Sequence, residues 1–259
     1  MDITLYQIDA FTQKIFSGNP AAVCPLEYWL DDALMQSIAA ENNLSETAFI
    51  VPDKIGYQIR WYTPVAEVDL CGHATLASSF VIFTYLRPDL AEISFKSKSG
   101  MLSVSKKGEK IALNFPANPP IAGELPAQLS EALKTKPDIL LVCNDYFVVL
   151  ENEKQVRNLE PDFALMKELD LQGVIVTAPG EDSDFVSRYF APKVGINEDP
   201  VTGSVHCSLV PYWAKRLKKI ELFARQVSAR GGELFCRDLG DRTEIAGYAC
   251  EYLKGTIRF

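Results

Sequence analysis

The sequence predicts an α+β protein made of two equivalent halves, and three observations point there. Short β-type runs and apolar helical stretches occur in one order before a proline cluster at Phe115–Pro120 and return in a similar order after it. Arg60-Trp61-Tyr62-Thr63-Pro64 is matched in the second half by Arg188-Tyr189-Phe190-Ala191-Pro192. Downstream of each, a glycine opens an apolar helix, at Gly72-His73 and at Gly203-Ser204. A chain of 259 residues, 47% hydrophobic and 23% charged, has the length and composition for two such globular halves. The proline cluster places the boundary at 116/117, giving halves of 1–116 and 117–259 with the final strands able to cross back.

The alternation in Ile3–Ile8 predicts a first strand, broken by the turn chemistry of Gly18-Asn19-Pro20. Asp31-Asp32 suits a helix N-terminus, and Ala33–Ala39 carries helical spacing that runs out near Asn42-Asn43. Strands are expected at Thr47–Val51 and Tyr57–Tyr62, a helix over 73–85, and three closing strands at Glu92–Lys96, Leu102–Ser105 and Lys110–Asn114. In the second half, strands are expected at Ile139–Val142, Tyr146–Leu150, Gly173–Thr177 and Phe185–Phe190, with a helical piece over 162–168 and a helix over 204–217. Four strands follow, near Glu221–Gln226, Glu233–Arg237, Glu244–Tyr248 and Tyr252–Phe259.

Twenty-six basic against 34 acidic residues leave a net charge of −8, with no basic run able to track a phosphate backbone. Nucleic acid and anionic membrane are excluded as expected partners. The start lacks the basic and apolar segments of a leader, and no stretch approaches a membrane span, so a cytoplasmic protein is expected. Six scattered cysteines then read as free thiols.

Three segments could carry chemistry. Cys71-Gly72-His73-Ala74-Thr75 puts a glycine at a helix start, where backbone N–H groups bind carboxylates or developing oxyanions. Glu198-Asp199-Pro200-Val201-Thr202-Gly203-Ser204 places an acidic pair before the second such helix. In Asn43-Leu44-Ser45-Glu46-Thr47-Ala48-Phe49, Glu46 stands at an element boundary beside the core, where desolvation would suit it to acid–base work; a solvated or capping glutamate is the plainer reading. Both histidines, His73 and His206, fall in the glycine-opened segments. No ligand spacing of a zinc finger, no HExxH and neither GxGxxG nor GxxxxGK is present.

These segments, together with Asp9-Ala10-Phe11-Thr12 and Gly18-Asn19-Pro20-Ala21-Ala22-Val23, resemble the phenazine-biosynthesis isomerase-like (PhzF-like) family over nearly the whole chain. The resemblance implies the diaminopimelate-epimerase fold: two pseudo-symmetric domains, each a β-barrel-like sheet wrapped around a central helix, with the site in the cleft between them. It implies Glu46 as the proton-shuttling acid/base, His73 and Asp199 as groups that bind and polarise substrate, and Gly72, Gly203 and Ser204 as donors, with Asn19 on a loop at the site's edge. It further implies a homodimer and a cofactor-free, metal-free isomerase acting on a small carboxylate, as in the isomerisation of trans-2,3-dihydro-3-hydroxyanthranilate. Two other readings stay open at this point. Cys71 and Thr202 fall where related epimerases carry their two cysteines, which allows a racemase, epimerase or dehydratase, and a non-catalytic small-acid binding protein is the third possibility.

Overall fold

A computed structural model of the chain describes residues 2–124 and 126–259. It resolves into two compact units, Met1–Phe115 with Glu244–Phe259, and Pro116–Thr243. Among the described residues no helix is long and apolar enough to cross a membrane.

Unit 1 contains β1 (Asp2–Ala10), β2 (Asn19–Pro25), α1 (Asp32–Asn42), β3 (Glu46–Asp53), β4 (Gly56–Tyr62), the short β5 (Glu67–Val68), α2 (Gly72–Val81), β6 (Glu92–Ser97), β7 (Gly100–Lys107) and β8 (Lys110–Pro116). The C-terminal strand Ala249–Arg258 crosses back and pairs antiparallel along the whole of β1. From that strand the order runs β1, β2, β3, β4, β6, β7, β8. α1 forms where expected. Asp31 accepts a hydrogen bond from Ala33 N at its start, and Asn43 ends it in the left-handed conformation at φ 49°. Its Met35, Ile38 and Ala39 pack on Cys24, Phe49 and Tyr62. α2 is buried along its whole length and packs on β1, β2 and β3. Its buried Thr75, Ser78 and Ser79 hydroxyls donate to carbonyls one turn earlier, so α2 can be enclosed as the central helix of this unit. The expected helix over 73–85 is shorter than predicted, because Ile82–Leu86 continues as π-type turns.

Unit 2 contains β9 (Ile121–Ala122), α3 (Ala127–Leu133), β10 (Ile139–Val142), β11 (Tyr146–Val149), α4 (Glu153–Arg157), α5 (Phe163–Lys167), β12 (Val174–Pro179), β13 (Phe185–Phe190), α6 (His206–Leu217), β14 (Glu221–Gln226) and β15 (Gly232–Asp238). Its strands lie in the order β9 to β15. Pairings from β10 to β15 alternate antiparallel, parallel, antiparallel, parallel, antiparallel. The pairings β1–β2, β2–β3, β3–β4, β4–β6 and β6–β7 repeat the same series. The internal duplication read from two short motifs is therefore a duplication of strand topology.

α3, α4 and α5 cover one face of this sheet, burying Leu129, Leu133, Val156 and Met166 against Val148, Val174, Val176 and Phe190. α6 takes the other face. Its Trp213 stacks on Phe185 with ring centroids 5.6 Å apart and donates to Thr177 Oγ1 at 2.9 Å. Burial on both faces explains the continuous apolar runs of β11 and β12.

Candidate active site

β2 begins at Asn19 and runs parallel to β3 in a register that pairs Ala21 with Glu46. The chain reaches Glu46 through the left-handed Asn43, and Asn42 Nδ2 donates to Thr47 Oγ1 at 3.0 Å, which fixes how β3 starts. α2 opens at Gly72, preceded by Cys71 in extended backbone, and places His73 in its first turn. No side chain caps this N-terminus.

These elements bring Asn19, Glu46, Cys71, Gly72 and His73 together. Glu46 Oε2 lies 3.1 Å from His73 Nε2, with the side chains 12% and 5% exposed, although the pair lacks hydrogen-bond alignment. On the other ring nitrogen, Asn19 Nδ2 lies 3.2 Å and Cys71 Sγ 3.5 Å from His73 Nδ1. Burial opposes charge on the imidazole, yet the neighbouring Cys71 and Glu46 hold His73 well above its usual 6.5. Burial and then the Glu46 charge push the Cys71 thiol up, so near neutrality it is the protonated member of the group.

Glu46, Cys71 and His73 offer ligand atoms within 4.8 Å of one another. Glu46 and Cys71 face opposite nitrogens of the His73 ring. The arrangement suits proton transfer: a carboxylate and an imidazole in contact, screened from water, at an uncapped helix N-terminus that favours negative charge.

Unit 2 assembles a second cluster. Asp199 is buried, its N–H donating to Tyr189 O at 3.1 Å, and its carboxylate accepts from Thr202 Oγ1. Gln226, the last residue of β14, binds this loop from below: its Nε2 donates to Asp199 O at 2.7 Å and to Thr202 Oγ1 at 3.2 Å, and its Oε1 accepts from Thr202 N at 2.8 Å. Nothing in the sequence singled out Gln226, which looks there like an ordinary strand end. Gly203 and Ser204 do not open α6 directly. They form a turn whose carbonyls accept from His206 N and Cys207 N, and α6 starts at His206.

The two histidines have different fates. His206 is fully buried, its Nδ1 is 2.8 Å from Thr202 O, and burial pushes it down to about 4. It is a neutral core group that braces the Thr202 loop. The repeated arginines also gain a role. Arg60 binds Glu67 through two bonds of 2.7 and 2.8 Å, and Arg188 binds Glu198 through two of 2.7 and 2.9 Å. In unit 1 this fork ties β4 to β5, which leads to Cys71, and in unit 2 it ties β13 to the loop that holds Asp199.

The family model for phenazine biosynthesis-like proteins (PhzC-PhzF) matches residues 8–255. An uncharacterised isomerase of Pseudomonas aeruginosa is 51% identical over 99% of this chain and 99% of its own. A solved PhzF-family phenazine biosynthesis protein from Enterococcus faecalis superposes with a TM-score of 0.98 at 49% identity, covering all of both chains. A hydroxyproline epimerase from Agrobacterium vitis shares the fold at 9% identity, with a TM-score of 0.64 over 99% of this chain and 92% of its own. The fold is that of PhzF and epimerase-type enzymes, and the comparisons support an isomerase or epimerase-type function. Matched along its whole length by both the family model and close relatives, the chain belongs to the phenazine biosynthesis-like protein family.

Proposed function

We propose that the protein is a cofactor-independent isomerase that moves a proton between carbons of a small carboxylate, with trans-2,3-dihydro-3-hydroxyanthranilate as the reference for the substrate class. The observation that carries this reading is the water-screened Glu46–His73 pair, 3.1 Å apart. Glu46 takes the C–H proton, the electron pair it leaves behind delocalises into the substrate's conjugated system, and the same carboxyl returns the proton at another carbon. His73, charged through its neighbours, holds the substrate carboxylate or the developing negative charge, and the Gly72 end of α2 adds its N–H groups. Asn19 orients the ring of His73. In unit 2, Asp199, Gly203 and Ser204 are assigned substrate-binding roles on the loop that Gln226 fixes.

The thiol reading has one observation in its favour, the 3.5 Å approach of Cys71 Sγ to His73 Nδ1. Burial and the Glu46 charge keep that thiol protonated, which opposes its use as a base. Thr202, the other member of that reading, donates its hydroxyl to Asp199.

The test is incubation of the protein in deuterated buffer with a panel of small carboxylates, including trans-2,3-dihydro-3-hydroxyanthranilate, followed by NMR. Deuterium incorporation or double-bond migration that Glu46→Gln abolishes supports the proposal. Tight binding with no exchange for any panel member assigns the protein to small-acid binding instead.

A further inference from the structure

Pro211 lies inside α6 and has no N–H, so the Cys207 carbonyl one turn earlier lacks its helical partner. Asn118 N donates to that carbonyl at 2.9 Å, which holds Pro119 and Pro120 beside the helix. Across from them β10, paired with β9 on one edge and β11 on the other, presents Ile139 and Leu141 on one face. Together with Pro211, Tyr212, Lys215 and Arg216 of α6, these residues line a cavity of about 520 Å³ within unit 2. None of them belongs to the Asp199–Gln226 cluster.

Two of the lining side chains are held in place. The Tyr212 ring packs on Phe147 and Trp213 at centroid distances of 5.1 and 5.3 Å. Arg216 Nη1 donates to Tyr212 Oη at 2.7 Å, and its guanidinium lies over Trp213 at 5.2 Å. Among the described residues neither Lys215 nor Arg216 meets a carboxylate, in a chain whose acidic residues outnumber its basic ones by 34 to 26. Flat apolar walls beside two exposed cations that meet no carboxylate, one of them a guanidinium held against Tyr212 and Trp213, match a flat apolar body that carries a carboxylate. The volume is that of small-molecule sites, roughly 300–1,000 Å³.

We propose that this groove is a second ligand site, taking a small aromatic carboxylate whose ring lies against Tyr212 and the prolines and whose carboxylate meets Arg216 and Lys215. Naphthalene-2-carboxylate is the probe, titrated into the full chain by calorimetry and followed by amide NMR. Saturable 1:1 binding is expected, with shifts at Ile139, Leu141 and Tyr212 that persist in Glu46→Gln. Binding should weaken at least tenfold in the double variant Lys215→Gln/Arg216→Gln, and equally for the neutral naphthalene-2-carboxamide with the wild-type protein. Failure to saturate at millimolar probe overturns the proposal, as does binding that the folded double variant leaves unchanged. A concentration-dependent dimer in light scattering that Tyr212→Ala disperses would also overturn it, since a second copy would then be the occupant.

Discussion

Glu46→Gln keeps the side chain's shape and removes the negative charge 3.1 Å from His73 Nε2. With 12% and 5% of the two side chains exposed, salt and bulk water screen the pair little. At an effective dielectric constant of about 20, unit charges at that separation attract by about 5 kcal/mol, which sets the scale of what the imidazolium loses. Burial, the largest influence on His73, already opposes its charge, so the variant's His73 should lose its proton at markedly lower pH. NMR can follow this cleanly. The chain has two histidines, and His206 stays neutral down to about pH 4, so the imidazole titrating around and above neutrality is His73. In the wild-type protein His73 binds its proton more tightly folded than unfolded. Its stabilising contribution is therefore complete below about pH 6.5 and lost as pH rises through the folded value, and Glu46→Gln should flatten that loss. Turnover of any substrate found in the exchange panel should fall by about 10²–10⁴-fold. An unchanged His73 titration in a folded Glu46→Gln protein would refute the electrostatic reasoning, and unchanged turnover would remove Glu46 from the chemistry.

His206 should act in the opposite direction. Because burial lowers it from 6.5 to about 4, acidification across that window protonates the unfolded chain first and should cost about 3 kcal/mol of stability. Urea unfolding from pH 7 to 4 checks this, with a shallower fall expected in His206→Gln. Cys71→Ala should leave turnover within about threefold, as the buried thiol is the protonated member of its group; complete loss in a folded variant would move the chemistry to sulfur. Gly173→Ala should destabilise unit 2 by about 1–3 kcal/mol, because a Cβ there would stand 2.5 Å from the Tyr189 hydroxyl and 2.7 Å from its ring. Chemical denaturation measures it, and Gly173→Ala should cost less in a Tyr189→Ala background than in the wild-type protein, since the clash is then gone.

Local patterns in the sequence determined a good deal. Asp31 and Asn43 bracket α1 through their own side-chain and backbone preferences, and the Arg-aromatic motifs marked a duplication that the strand pairings repeat. An acidic residue at the start of β3 and a histidine at a glycine-led helix were legible as residue types. Other elements were not legible. α3 and α4 span seven and five residues, too few turns to print a helical period, and they are helical because the sheet face beneath them needs cover. β2 follows a true turn at Gly18, φ 68°, but both its faces are buried, so it shows no alternation. The register of Ala249–Arg258 on β1, the contact of Glu46 with His73, the grip of Gln226 on the Asp199 loop and the opposite environments of two similar-looking histidines were decided by tertiary structure alone. Propensity, capping and turn chemistry act between residues a few positions apart, whereas these contacts join distant segments and exist only once burial has chosen which of them meet.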